Sequence, residues 1–132
     1  MIARSLGSGL ILVSLSLLLS ACVVPRQQQP GLMDVAERPA EKALLAGIRA
    51  YDDAQYPQAE KLLTQALKDG LSSPRDRAAA NKHLAFIYCT SQRIQACEDA
   101  FRAARAADPA FALTKSEAGH PQWGPVYQRM RQ

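Results

Sequence analysis

Apolar residues recur at helical spacing through residues 78–109, the most regular stretch of the chain. Leu84 and Tyr88 are four residues apart, and a second apolar row follows with Phe101 at its centre. Spacings of three and four residues place such side chains on one side of an α-helix. Small residues between them let two helices approach closely, and we expect Tyr88 and Phe101 to fill the space between the helices. The pattern predicts two antiparallel helices joined by a turn at residues 90–93.

The same stretch matches the spacing of one tetratricopeptide repeat (TPR), which reads W-x₂-L-G-x₂-Y, then A-x₃-F, then P. Asn81 stands where the repeat has tryptophan, and Cys97 stands where it has alanine. The other matching residues are Leu84, Ala85, Tyr88, Phe101 and Pro109, with Ala104 just after the second cluster. The resemblance implies a helical hairpin and a role in binding a protein or peptide, and it does not name the partner.

A weaker copy of the unit covers residues 40–71. Gly47 stands at the position of closest helix approach, Pro57 suits the first turn of the second helix, and Gly70 suits its end. The apolar positions of that second helix are Ala59, Leu63 and Ala66.

The two units begin 38 residues apart, where a TPR repeats every 34. We therefore expect four extra residues in the loop around residues 71–74. Ser73 before Pro74 predicts the N-cap and first position of the next helix. Two units are fewer than the three usually needed to bury a continuous core, so another element must close the array.

The N-terminus resembles a bacterial lipoprotein signal. Arg4 precedes an apolar run over residues 6–19, which is shorter than the roughly 20 residues of a spanning helix. The run ends in Leu19-Ser20-Ala21-Cys22, an aliphatic residue and two small residues before cysteine. The resemblance implies lipid attachment to Cys22 and cleavage before it, with residues 1–21 removed. The alternative is an ordinary secreted protein with a cysteine near its cleavage site. Val23 in place of aspartate favours the outer membrane, facing the periplasm.

Residues 22–39 form the expected tether, because they are rich in proline and glutamine and lack helical periodicity. A short partner-binding motif formed by Leu32, Met33 and Val35 is the alternative. The remaining 40–132 make one domain. The formal net charge is +4, or +3 once Arg4 is removed, with acidic residues interspersed, so a nucleic-acid partner is not indicated.

Cys89 and Cys97 flank the turn of the second hairpin, and the compartment beyond a signal peptide is oxidising. We expect a disulfide between them, although two buried free thiols remain the alternative, since Cys89 points partly toward the groove in the repeat alignment. A metal site is not expected, because the spacing is not a zinc pattern and only His83 and His120 are available.

The C-terminal residues predict a cap. Thr114 and Glu117 have the spacing of a capping box, and Pro125 can begin a last short helix. We expect this segment to cover the end of the second hairpin through Phe111, Leu113, Trp123, Val126 and Met130. The alternative keeps His120 and Trp123 accessible for docking a partner.

Two features extend the resemblance: the cysteine spacing, and the run from Glu117 through His120, Trp123 and Pro125 to Val126. With residues 82–89, they resemble small TPR lipoproteins found among type VI secretion genes in proteobacteria, over roughly residues 40–127. The resemblance implies an accessory, membrane-tethered element near the secretion apparatus.

The sequence thus predicts an all-α protein with two TPR-like hairpins and a short capping helix. It shows no nucleophile paired with a base and no phosphate-binding loop, so we expect no enzyme, no small-molecule substrate and no cofactor beyond the lipid on Cys22. The leading hypothesis is an adaptor that binds a periplasmic or membrane protein segment; a regulator of a peptidoglycan synthase or hydrolase and a pilotin for a secretin are the alternatives. Expected groove residues are Glu41, Leu44, Ile48, Asp52, Lys82 and Phe86.

Overall fold

The computed structural model describes Gly31, Asp34 and residues 38–131, and the regular elements within 38–131 are helices. The signal peptide, the Cys22 lipidation site and most of the tether lie outside the described residues. The helices are α1 (Pro39–Asp52), α2 (Tyr56–Asp69), α3 (Pro74–Thr90), α4 (Ile94–Ala107), α5 (Lys115–Ala118) and α6 (Gly124–Arg131).

Two antiparallel hairpins form the body of the fold, as the sequence predicts: α1 packs on α2, and α3 packs on α4. The turns of the two hairpins have the same backbone conformation. Ala54 and Gln92, which are 38 residues apart, both adopt left-handed φ values, 57° and 60°. In the two turns the amides of Gln55 and Arg93 donate to carbonyls five residues earlier, each at 2.8 Å. The structural repeat therefore has the period read from the sequence.

Gly47 lets α1 approach α2 closely. A Cβ atom placed there would lie 2.8 Å from Cγ and 2.9 Å from Cδ2 of Leu63, which is fully buried in α2. Such distances are below van der Waals contact, so only glycine permits this helix separation without movement of Leu63. This confirms the close-approach position predicted for the first unit.

An enlarged loop between the hairpins does not explain why the two units repeat at a longer period than TPRs do. The linker between the hairpins is only residues 70–73, and α3 has 17 residues where α1 has 14. Part of the expected insertion is therefore an additional N-terminal turn of α3, which the Ser73 N-cap begins by accepting a hydrogen bond from the Asp76 amide at 3.3 Å. The Arg77 guanidinium donates to the carbonyl oxygens of Leu71 and Ser72, both at 2.9 Å, and so fixes the linker to α3.

The centre of the second hairpin differs in one residue from the expectation. Phe101 is fully buried as predicted, but its aromatic neighbour from α3 is Phe86, 6.1 Å away between ring centroids, rather than Tyr88. Tyr88 is only half-buried and lies beneath the Arg93 guanidinium, 4.4 Å from ring centroid to Cζ. Arg93 also makes a two-point ion pair with Glu60 on α2, at 2.9 and 2.6 Å. Tyr88 therefore contributes to the junction between the hairpins.

A disulfide joins the two helices of the second hairpin. Cys89 and Cys97 have sulfurs 2.05 Å apart and Cα atoms 5.2 Å apart, and both residues are buried. Cys89 therefore points at α4, not toward the groove. The bond closes the end of the hairpin nearest its turn.

The C-terminal segment closes the far end of the array, which is the predicted cap. Trp123 and Val126 join the buried core, and Phe111, Leu113 and Met130 pack against it. Helix α6 lies on α4, where the Arg105 guanidinium donates to the Met130 carbonyl at 3.1 Å.

Gly47→Ala should lower the free energy of unfolding by about 1–3 kcal/mol, because Leu63 must move away from the new methyl group. The gain in helix propensity, at most about 1 kcal/mol, offsets only part of this loss. Chemical denaturation would measure the net change in the free energy of unfolding. Gly119→Ala is the matched control, since its nearest neighbour lies at 3.5 Å and its φ is −83°. Equal stabilities of the two variants would contradict the close approach.

Reducing the disulfide should lower the free energy of unfolding by roughly 2–3 kcal/mol, as expected for a cross-link that closes a loop this short. Denaturation with and without a reductant would measure the difference. The double variant Cys89→Ala/Cys97→Ala should be less stable and insensitive to reductant. A wild-type protein that is equally stable in both conditions would show that the cross-link is absent.

Candidate partner-binding face

On one side of the array α1 contacts α3, while α2 packs against both of them and α4 packs against α3. We call this side the α1/α3 face. Leu45, Ile48 and Asp52 share it on α1, because they are three and four residues apart. The residues of this face on α3 are Lys82, His83 and Phe86, of which His83 and Phe86 correspond to Leu45 and Ile48 in the 38-residue repeat.

A row of aromatic rings crosses this face from the hairpin turn of α1 to the C-terminal cap. Neighbouring ring centroids are separated by 5.6 Å from Tyr56 to Tyr51, 5.1 Å from Tyr51 to His83, and 6.1 Å from His83 to Phe86. The row continues through Trp123, stacked 4.2 Å from Phe86, to His120, stacked 3.4 Å from Trp123. Exposure is greatest at the end of the row beside the α1–α2 turn, where 39% of Tyr56 is accessible, whereas Phe86 is 3% accessible.

The cap covers the α3 half of the face. Trp123 stacks on Phe86 and donates its indole N–H to the Glu117 carbonyl at 2.8 Å. The Lys82 ammonium pairs with the Glu117 carboxylate at 2.7 Å, and both side chains are largely shielded from solvent. Aromatic stacking and a directional ion pair therefore hold the cap in one position.

Glu117 serves both the cap and α3. Its Oε2 accepts the Thr114 amide at 2.8 Å in the predicted capping box, while its Oε1 faces Lys82. Burial raises the pKa of the Glu117 carboxyl, but hydrogen bonds from Lys82 and the Thr114 backbone outweigh it, so the net pKa is lowered. The carboxylate is ionised at neutral pH, as the ion pair requires.

His83 lies at the middle of the aromatic row, in the seam between α1 and α3. Burial lowers the pKa of its imidazole, which the hydrogen bond to the Ala79 carbonyl at 2.8 Å only partly offsets. A carbonyl can only accept, so Nδ1 carries a proton. Because the pKa lies below its ordinary value of 6.5, the imidazole is mostly neutral at pH 7. Next to it, burial and then the neighbouring Tyr56 raise the pKa of the Tyr51 hydroxyl. The middle of the row is therefore uncharged at neutral pH.

The structure corrects part of the expected groove. Glu41, Leu44 and Phe86 are 3–5% accessible and do not line an open surface. Glu41 accepts a hydrogen bond from the Ser72 hydroxyl at 3.3 Å, and Leu44 belongs to the core between the helices. Phe86 lies under Trp123.

The remaining groove positions do reach the face: Asp52 is exposed, and Ile48 and Lys82 are half-buried. Leu45, which the repeat alignment did not select, is 44% accessible. Adjacent residues of a helix point about 100° apart, so Leu45 shares a side of α1 with Ile48 and Asp52 whereas Leu44 points into the core. At helical spacing Leu45 stands between Lys42 and Arg49, and this pattern in the sequence could have indicated an exposed leucine.

His120 and Trp123 are joined by stacking, but Trp123 is only 9% accessible. Trp123 is thus a component of the core, and the reading in which it stays open for docking does not fit its burial. His120 forms the outer layer of the stack, and its Nδ1 accepts the Gln122 amide at 3.3 Å.

Within the described part of the chain, no group of three or more His, Cys, Asp or Glu residues is arranged to hold a metal ion. None of the helices described in residues 38–131 is long and apolar enough to cross a membrane. No model of a known protein family, no curated protein and no solved structure matches the chain significantly. The functional argument therefore rests on the arrangement of the face itself.

Protonation of His83 should destabilise the fold. The folded state binds this proton less readily than the unfolded chain, so the free energy of unfolding falls as pH drops below the ordinary imidazole pKa of 6.5. Thermal melting between pH 8 and 5 should show a steeper loss for the wild type than for His83→Gln. His120 is present in both proteins, so its contribution cancels in the comparison. Parallel profiles would contradict a neutral, buried His83.

Proposed function

We propose that this chain is a membrane-tethered periplasmic adaptor whose α1/α3 face binds a segment of another protein. The observation that supports it best is the aromatic row, which is buried under the cap at its α3 end and accessible at its α1 end. The cap leaves the apolar side chains at the other end of the row uncovered. Such side chains provide the contact area that protein interfaces use.

The open half of the face favours a short segment rather than a large surface. Leu45, Ile48 and Tyr56 supply apolar contacts, and Asp52 supplies a negative charge beside them. The row between them is neutral because the lowered pKa of His83 leaves its imidazole uncharged at pH 7. An amphipathic segment with apolar anchors and a basic residue opposite Asp52 is complementary to this arrangement.

Tethering is part of the proposal and rests on the resemblance of residues 1–22 to lipoprotein signals. With acyl chains on Cys22, the domain is held at the periplasmic side of the outer membrane. The resemblance to type VI secretion-associated TPR lipoproteins gives the specific form: an accessory that positions a membrane-complex component of that system.

Site-specific photocrosslinking in intact cells tests the binding face. A photoreactive residue at Asp52, on the face, should capture a discrete partner, whereas one at Lys68, exposed on α2, should not. Adding Ile48→Glu should reduce capture at least tenfold, roughly the effect of a central interface residue. Equal capture from both positions, or none from Asp52, would refute a binding site on this face.

The identity of the captured protein distinguishes the three proposed functions. A type VI membrane-complex component supports the secretion assignment, a wall synthase or hydrolase supports the regulator, and a secretin supports the pilotin. In the same strain, Cys22→Ala should release the chain from the membrane fraction and weaken capture. Full retention at the membrane would contradict the lipid anchor.

A further inference from the structure

A small pocket adjoins the accessible end of the aromatic row. It lies between the first turn of α2 and the last turn of α3 and has a volume of about 290 Å³. Tyr56 and Pro57 line it from α2, and Ile87, Thr90 and Ser91 line it from the end of α3. We call it the turn pocket. Because Tyr56 is also the last ring of the row, the pocket is continuous with the α1/α3 face.

The α3 wall of the turn pocket favours an apolar occupant. Ile87 is 3% accessible. The Thr90 hydroxyl donates to the Phe86 carbonyl at 2.7 Å. The Ser91 hydroxyl donates to the Ile87 carbonyl, also at 2.7 Å. Since both hydroxyl groups bind their own helix, neither offers a free proton to a ligand, and a polar group placed there would lose its hydrogen bonds to water.

The volume of the turn pocket suits one side chain. Pockets for small molecules and cofactors have volumes of roughly 300–1,000 Å³, and the turn pocket lies at the lower end of this range. Tyr56, which is 39% accessible, provides an aromatic wall that a second apolar side chain can contact. A leucine, a methionine or an aromatic residue of a bound segment is therefore the expected occupant.

The charges on the α2 side of the pocket neutralise each other. Glu60 and Arg93 both line it, and they form the two-point ion pair between α2 and the turn of the second hairpin. This side therefore presents no net charge to a ligand.

The charge on the α1 side is negative. Asp52 is exposed and follows Tyr51, whose ring centroid lies 5.6 Å from that of Tyr56 at the pocket. Within residues 38–131, no ion pair engages Asp52, and Arg49, one turn earlier in α1, does not pair with it. A carboxylate at the C-terminal end of a helix opposes the helix dipole, so α1 itself gains no stability from this charge.

We propose that the turn pocket holds one large apolar side chain of the bound segment, next to a lysine or arginine of that segment which pairs with Asp52. The apolar wall matches the first group, and the unpaired carboxylate is complementary to the second. The inference rests on the proposed function, because it assigns the chemistry of the segment that the α1/α3 face binds. A second copy of this chain is the alternative occupant, which the experiments below distinguish.

Selection from a random peptide library displayed on phage tests the pocket without the natural partner. The immobilised protein is the mature chain carrying Cys22→Ser. It should enrich peptides in which lysine or arginine stands within a few residues of a large apolar residue. In synthetic copies of these peptides, replacing the apolar residue by alanine should weaken binding at least about tenfold. Replacing the basic residue by glutamine should weaken it about two- to fivefold.

Variants of the protein locate the peptide. Ser91→Phe places a ring at the pocket and should weaken binding of the enriched peptides at least about tenfold. Ser116→Phe adds the same ring to another exposed serine, on α5, and should change binding less than about twofold. Asp52→Asn should remove the preference for lysine and arginine. Circular dichroism checks folding, and Thr90→Phe replaces Ser91→Phe if that variant unfolds.

Three results would overturn the proposal. One is the absence of an enriched motif that combines apolar and basic residues. Another is an equal loss of binding in Ser91→Phe and Ser116→Phe. The third is a wild-type dimer in sedimentation velocity that Ser91→Phe dissociates, which would assign the pocket to a second copy.

The crosslinking experiment separates failure of the pocket from failure of the proposed function. Capture from Asp52 in cells that Ser91→Phe leaves unchanged would retain the binding face and reject the pocket. An enriched motif that Ser91→Phe blocks, without any capture in cells, would retain the pocket and reject the adaptor.

Discussion

Closure of the second hairpin by Trp123 is the interaction on which the rest of the structure depends. Two helical hairpins expose an apolar end, because each repeat buries its core against its neighbours. The indole lies between Phe86 and His120, while its N–H binds the Glu117 carbonyl. Glu117 also forms an ion pair with Lys82 on α3, which fixes the cap to the second hairpin. A short segment thereby covers the apolar end that a third repeat would otherwise cover.

This closure also determines what is left for function. A third repeat would extend the α1/α3 face, whereas the cap lies across its α3 half and ends it there. The accessible remainder lies on the first hairpin, at the opposite end of the array.

Sequence spacing predicted most of the architecture because the relevant constraints are local. Gly47, the Ser73 N-cap and the Thr114–Glu117 capping box each act within a few residues, and all three take the predicted roles. Phe86 takes the place beside Phe101 that was expected for Tyr88, because an aromatic residue at helical spacing fits either side of its helix until the neighbours are known. The buried state of Trp123 was one of two alternatives, and only tertiary packing distinguishes them. The lipid anchor and the partner depend on residues or molecules outside the described chain and stay predictions.

The position of Trp123 has a practical consequence for spectroscopy. It is the single tryptophan of the chain, so intrinsic indole fluorescence arises from one site, at the junction of the cap with the array. Detachment of the cap would move that indole from a stacked environment into water and shift its emission, while the hairpins behind it could remain helical by circular dichroism. The native chain thus carries its own optical reporter of whether the array is closed.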